Sequence, residues 1–381
     1  MSNMADRVEL KALDLFCGCG GISEGLYKAG FNIIAGADID PRYLITFSHN
    51  FPRAVSVKDD LSKFDPKEFM ARIGLKTEEL DLLSGGPPCQ GFSKNVPRKY
   101  RYLNDPNNLL IKTFLDYCEC LRPKMILMEN VAEMKNGFKQ AYTDEILERL
   151  EEEGYSVTHA VLDSADYGVP QRRRRAFFMA NRLGVDIRIP APTHTSINSQ
   201  LQLFPLPHHV TVREAISDLP ILRHGEGEEW TEYMCPPLSD YQKQMRNCQT
   251  RVRNHVSRYL QPMQYKRLAA LKPGQGYKDL PDELKVKSGY SGAYGRLTWD
   301  MIAPTITRWV FHPGSGRWGH PENIRVLTIR EAARIQGFPD SFEFVGTYCQ
   351  QAGQVGNAVP PLLVKKLAES MLHQLGDSRF R

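Results

Sequence analysis

No stretch of this chain approaches the ~20 consecutive apolar residues that a membrane-spanning helix needs, and the mean hydropathy is −0.41. A membrane protein is therefore not expected. The opening segment, MSNMADRVELKALDLF, sets Asp6, Arg7, Glu9 and Lys11 among its apolar residues, so no unbroken secretory core is visible. Cysteine is sparse, eight in 381 residues, and none stands in a C-x-x-C spacing. That argues against a zinc site or any other metal centre of that kind, and fits a reduced, intracellular protein. Internal repeats and low-complexity tracts are missing too. What remains is ordinary globular composition, 41% hydrophobic and 24% charged, with enough apolar surface to exclude disorder of the whole chain. At about 150 residues per domain, the length suggests two or three domains' worth of chain.

The net charge is +5, from 49 Lys and Arg against 44 Asp and Glu. Its distribution says more than its size. Residues 241–272 hold eight Lys or Arg and no acid, residues 89–104 hold four and no acid, and Arg172, Arg173, Arg174 and Arg175 form a run. Such stretches are either solvated faces or contacts to phosphate.

The first half alternates short apolar runs with amphipathic ones. Strands are expected at 10–16, 33–37, 54–57, 80–83, 125–128, 156–162 and 176–180, and helices at 41–50, 105–121 and 143–153. This alternation predicts an α/β layer with a mostly parallel sheet. After about residue 185 the texture becomes rich in Pro, Gly, Arg and Tyr. One helix is expected at 329–336, with Thr328 as N-cap and Gly337 as stop, and an amphipathic one at 361–375, with Leu362, Leu363, Leu367 and Met371 on one side.

Several motifs carry chemistry. Asp14-Leu-Phe-Cys-Gly-Cys-Gly-Gly21 follows the first expected strand; its glycines allow a tight turn and close backbone approach to a ligand. Asp38-Ile-Asp40 closes the second strand, where an acid can accept hydrogen bonds from a ribose diol, and Asp59-Asp60 follows the third. Gly85-Gly86-Pro87-Pro88-Cys89-Gln90-Gly91-Phe92-Ser93 places a cysteine after a strand and a rigid turn, at the sheet edge where open α/β sheets bind ligands. In that setting Cys89 reads as a nucleophile. Glu129-Asn130-Val131 ends the next strand, so Glu129 should face the same edge as an acid. In Gln171-Arg-Arg-Arg-Arg175, alternation within a strand would put Arg173 and Arg175 on one face as a pair.

These motifs, in this order, resemble the DNA cytosine-5 methyltransferases. The resemblance extends to Arg325-Val-Leu-Thr-Ile-Arg-Glu-Ala-Ala-Arg-Ile-Gln-Gly-Phe-Pro339 and to Gln354-Val-Gly-Asn-Ala-Val-Pro360, and so covers nearly the whole chain. It departs at Asp38, where the family often has glutamate, and at Asn107-Asn108, where it often has Arg-Asn. The resemblance implies a class I S-adenosylmethionine-dependent methyltransferase fold, Rossmann-like, with a smaller irregular target-recognition domain. It divides the chain into a catalytic domain at 1–187, a recognition domain at 188–345 and a returning segment at 346–381.

The resemblance also implies the reaction. Cys89 attacks C6 of a cytosine turned out of double-stranded DNA, Glu129 bonds N3 and the exocyclic amine, Arg175 holds O2, and Arg173 orders the loop near Cys89. S-adenosylmethionine methylates C5 and leaves as S-adenosylhomocysteine. The cofactor would meet Phe16, Gly18, Gly20, Gly21, Ile22, Asp38, Ile39, Asp60, Leu61, Pro88, Asn357 and Val359. DNA would meet Gln90, Ser93, Lys94, Arg98, Lys99 and Arg101 in the loop after the nucleophile. In the recognition domain the candidates are Arg251, Arg253, Arg296, Thr305, Arg308 and Arg317, since arginine on guanine is the commonest specific contact. The expected setting is a monomer in a prokaryotic cytoplasm or nucleoid, solitary or paired with a separately acting restriction endonuclease. A tRNA-methylating relative would carry a Cys-Phe-Thr element, which is missing here. A binding-only relative would be expected to lose the nucleophile or the glycines. A dehydrogenase leaves Pro-Pro-Cys-Gln unexplained.

Overall fold

The computed structural model describes residues 9–88, 109–132, 138–196, 205–285 and 292–376, with the backbone only at 138–142. Contacts divide the chain into two compact units: residues 1–163, 174–191 and 363–381 form one, and residues 164–173 and 192–362 the other. The sequence alone placed the boundaries at 187/188 and 345/346. The contacts place them at 191/192 and 362/363, and give 164–173 to the second unit.

The first unit runs β1 (Lys11–Leu15), α1 (Gly21–Lys28), β2 (Asn32–Asp38), α2 (Pro41–Asn50), β3 (Val55–Lys58), α3 (Pro66–Ile73), β4 (Leu82–Gly85), α4 (Leu109–Leu121), β5 (Met125–Val131), α5 (Phe138–Glu152), β6 (Ser156–Asp163) and β7 (Arg174–Asn181). The sheet order is β3-β2-β1-β4-β5-β7-β6. β1 to β5 are parallel, and β7 lies antiparallel between β5 and β6. All seven strands lie where the alternation predicted them. β4 is buried throughout and β1 beyond its first residue, as expected of a parallel sheet covered on both faces. Order reverses between β1 and β4, where Asp14 stands opposite Ser84 and Leu15 opposite Gly85. Crevices at such switch points are where open α/β sheets bind ligands.

The local signals act as chemistry requires. Asp40 caps α2 through a bond from the Arg42 amide, and Pro41 fills its first position. Gly36 of β2 is needed for packing. A Cβ there would stand 2.3 Å from the ring of Phe47, a fully buried residue of α2. The core joins Leu13, Val57, Phe69, Leu83, Phe114, Ile126 and Phe178.

The second unit contains α6 (Val212–Ile216), β8 (Trp230–Glu232), α7 (Asp240–Arg246), β9 (Arg251–Arg253), α8 (Pro262–Ala269), α9 (Ile329–Gln336) and α10 (Tyr348–Asn357), while α11 (Pro361–Gln374) returns the chain to the first unit. β8 and β9 pair as a two-stranded ribbon. α9 has the expected ends, a Thr328–Glu331 capping box and Gly337 at a φ of 91°. On α11, Leu362, Leu363, Leu367 and Met371 are buried as predicted.

So little regular structure leaves many loop carbonyls without ladder partners, and buried carbonyls must be paired. Arginine supplies the donors. Arg325, Arg330 and Arg334 are among the largest fully buried side chains. Arg330 donates to the carbonyls of Arg253, Pro339 and Phe342. Arg325 grips Glu331 through two 2.7 Å bonds, and that guanidinium holds the Glu331 carboxyl well below the usual carboxylate range.

His320 lies beside this pair and is neutral. Its Nδ1 accepts from the amides of Glu322 (3.1 Å) and Asn323 (3.0 Å), and burial pushes its pKa down to about 3. The unfolded chain, with an ordinary histidine near 6.5, takes up the proton first, so stability is lost as pH falls through that window. Between pH 7 and pH 5 this amounts to about 2 kcal/mol. Asp14 and Glu24, raised by burial to about 6 and about 7, act with the opposite sign over the same range. The check is urea unfolding of wild type and His320→Asn at both pH values. The acid-induced loss should be smaller by about that amount in the variant; equal losses would exclude His320 as its source.

Candidate active site

The glycine turn after β1 is held in left-handed backbone. Phe16 has a φ of 57°, Gly18 of 55° and Gly20 of 99°. At Gly20 a Cβ would also stand 2.7 Å from the Phe51 ring, so glycine is required there on two counts. Phe16 is half-buried against the core. Burial raises the pKa of Asp38, whose carboxylate accepts from the Gly18 amide at 2.9 Å and the Asp40 amide at 2.8 Å. It thus fixes the turn and keeps lone pairs for a further donor. The next side chain, Ile39, is 63% exposed, a bare apolar surface beside that acid. Asp60 caps its own turn through Ser62 and pairs with Lys63 at 3.0 Å, and the Ser62 hydrogen bond lowers its pKa.

Ile22 and Leu61 are buried, and Leu61 packs in the apolar cluster of the sheet. Pro88 is exposed at the end of the described part of its loop. Asn357 ends α10 and is exposed, while Val359 is buried; both belong to the second unit.

Glu129 and Arg175 meet because of strand register. Glu129 stands opposite Phe177 and Val131 opposite Arg175 in the β5–β7 pair, so Glu129 and Arg175 are diagonal neighbours on one face. Arg175 Nε lies 2.9 Å from Glu129 Oε1. Glu129 Oε2 lies 3.3 Å from the point where a Gly86 Cβ would stand, so the carboxylate reaches the turn that leads to Cys89. Asn130, quoted in the motif without a role, donates from Nδ2 to the Pro87 carbonyl at 3.1 Å and holds that turn. Cys89, Gln90, Ser93, Lys94, Arg98, Lys99 and Arg101 lie outside the described residues.

Arg173 does not pair with Arg175 as predicted. β7 begins at Arg174, so strand alternation does not reach back to residue 173. Arg173 is buried, and its Nη1 donates to the carbonyls of Ile306 (3.1 Å) and Gly356 (3.3 Å) within the second unit.

Three recognition candidates act as braces within the second unit, and of these Arg296 alone is buried. Arg296 is 6% exposed and donates to the carbonyls of Leu271, His320, Pro321 and Glu322, which corrects its assignment as a base reader. Arg253 bridges the carboxylates of Glu229 and Glu343. Arg317 spends Nη1 on the carbonyls of Gly274, Gln275 and Arg296. Thr305 donates to the Arg172 carbonyl at 2.7 Å. Arg251 and Arg308 are the exposed ones, lying 4.4 Å from the ring of Trp230 and 5.0 Å from that of Trp309.

Sequence reasoning also missed Gln171. It is fully buried. It accepts from the Ile306 amide and donates to Gln336, whose own amide reaches the Ala358 carbonyl.

The fold and this site define a Rossmann-like transferase with an acid–arginine pair at its sheet edge. The profile of the C-5 cytosine-specific DNA methylases matches residues 10–373, and the chain belongs to that family. It is 32% identical over 428 residues to the type II methyltransferase M.AgeI of Thalassovita gelatinovora, covering 95% of this chain and 99% of that protein. It is 34% identical over 368 residues to the type II methyltransferase M1.HphI of Haemophilus parahaemolyticus, covering 96% and 87%. Among solved structures, a DNA modification methyltransferase encoded within an E. coli prophage superposes with a TM-score of 0.77 at 25% identity, covering 97% of this chain and 100% of that one. Among the described residues, no helix is long and apolar enough to cross a membrane.

Proposed function

We propose that this enzyme flips a cytosine out of a short, specific sequence in double-stranded DNA and activates it through a transient bond from Cys89 to C6. C5 of cytosine is a poor nucleophile, and addition of a thiolate at C6 pushes electron density onto it. S-adenosylmethionine supplies an electrophilic methyl group. The glycine turn, with Asp38 and the exposed Ile39, fits a ribose diol and an adenine face, and Asp60 fits the adenine amine. Glu129 stabilises the ring at N3 and the exocyclic amine. Arg175 orients Glu129 and reaches O2. After methyl transfer the C5 proton leaves, the Cys89–C6 bond breaks, and the cysteine is regenerated.

The observation that carries this reading is the Glu129–Arg175 pair, set against Gly86 one loop ahead of Cys89. Arg251 and Arg308, held exposed over indole rings, support a role in DNA contact. The chain is inferred to act as a monomer, with or without a partner endonuclease. The test is bisulfite sequencing of DNA from a methylation-free host expressing this chain, beside a Cys89→Ser control. Protected cytosines in one short context, absent from the control, are expected. Protection at a near-normal level in the control would overturn the assignment of Cys89.

A further inference from the structure

Asp14 has no part in the reaction above, yet it is the most enclosed acid at this sheet edge. It is wholly buried, and among the described residues no Lys or Arg forms an ion pair with it. Its Oδ2 accepts from Ser23 twice, from the amide at 3.1 Å and from Oγ at 2.5 Å. Its Oδ1 accepts from Ser84 Oγ at 3.0 Å. Ser23 lies in the first turn of α1, just past the glycine turn. The N-cap of that helix, Gly20, has no side chain to offer, so Asp14 supplies the acceptor and the negative charge from the neighbouring strand. Ser84 lies in β4, directly before Gly85-Gly86-Pro87-Pro88 and the nucleophile.

We propose that Asp14 is a positioning residue: a single buried carboxylate that registers the cofactor turn against the strand feeding the nucleophile loop. The proposal rests on the function proposed above. A side chain kept only for stability would be a poor choice here. Burial, with a smaller contribution from Asp38, raises its pKa to about 6, and Cys17 and Cys19 are the other titratable groups that feel its charge. The raised value means that the ionised form opposes folding near neutral pH. The arrangement is therefore kept at a cost in stability and gains geometry.

The test separates the two arms in the full-length chain. Ser23→Ala, Ser84→Ala and Asp14→Asn are compared with wild type by melting temperature and by S-adenosylmethionine Kd. Each is also assayed for single-turnover transfer of labelled methyl to methylation-free plasmid DNA at saturating cofactor. Losing one such hydrogen bond should cost about fivefold in the quantity it serves. Ser23→Ala should weaken cofactor binding by about that factor and leave the saturated rate within about twofold. Ser84→Ala should do the reverse. Asp14→Asn should lose both without a lower melting temperature, and the pH dependence of its cofactor Kd between pH 5 and pH 7 should flatten. Cofactor affinity and rate that fall together in step with melting temperature, or that do not move, overturn the proposal while wild type still transfers label. A wild-type chain that transfers none overturns the functional reading and this proposal with it.

Discussion

Replacing Glu129 by glutamine is expected to lower single-turnover methyl transfer by a factor on the order of 10²–10⁴, the range for loss of a positioned acid or base. The substitution keeps size and shape, and Gly86, lacking a Cβ, leaves room for it. It removes the charge that holds Arg175 at 2.9 Å, and with it the carboxyl that, in the proposed mechanism, meets N3 and the exocyclic amine. The pair is largely shielded from solvent, so an amide cannot recover the loss through water. DNA affinity should change far less than the rate, because the lost interaction strengthens only as charge develops on the ring. A rate within about threefold of wild type would remove Glu129 from the chemistry.

The largest effect on stability is expected in the second unit. Arg334 sits between two buried carboxylates, with Nη1 at 2.5 Å from Asp218 and Nη2 at 2.6 Å from Asp340. All three side chains are fully buried, and this contact raises the pKa of the arginine and lowers that of Asp340. Arg334→Met fills most of the volume but strands charge. Removing one partner of a buried pair typically costs about 3–5 kcal/mol. Arg246 still reaches Asp218 at 2.6 Å, and Tyr233 still donates to Asp340, so the lower half of that range is expected. Against a total stability of about 5–15 kcal/mol, such a loss should be plain in urea unfolding at pH 7. A change under about 1 kcal/mol would mean that the remaining partners neutralise the site.

The first unit was legible from sequence because its signals are local and repeated. Each strand is an apolar run, and Pro41 announces α2; in the second unit only α9 was as plain, with Thr328 and Gly337 at its ends. The second unit was less legible because α6, α7 and α8 are short, and tertiary contacts decide short helices. The arginines were misread for a related reason. Charge patterning reveals where cations concentrate but not whether a guanidinium meets phosphate or an unpaired carbonyl. Arg296 and Arg173, both buried, meet carbonyls. The Glu129–Arg175 pair was within reach of sequence reasoning, since both strands were placed. The β5–β7 register that makes them neighbours was not, because it depends on pairing between distant segments.

Gly356 bears on where segments can be exchanged among relatives. A Cβ at this position would stand 2.2 Å from the backbone of Thr307 and Arg308, and Ile306 is gripped on both sides, at its amide by Gln171 and at its carbonyl by Arg173. Main chain lies against main chain there, so the seat accepts only one local path. A chimera that replaces the reading segment but keeps residues 303–308 from the host retains that seat. A chimera joined further downstream imports a foreign path onto it. For the recognition role proposed above, the seam that preserves this seat lies just before Ala303, and Arg308 travels with the host.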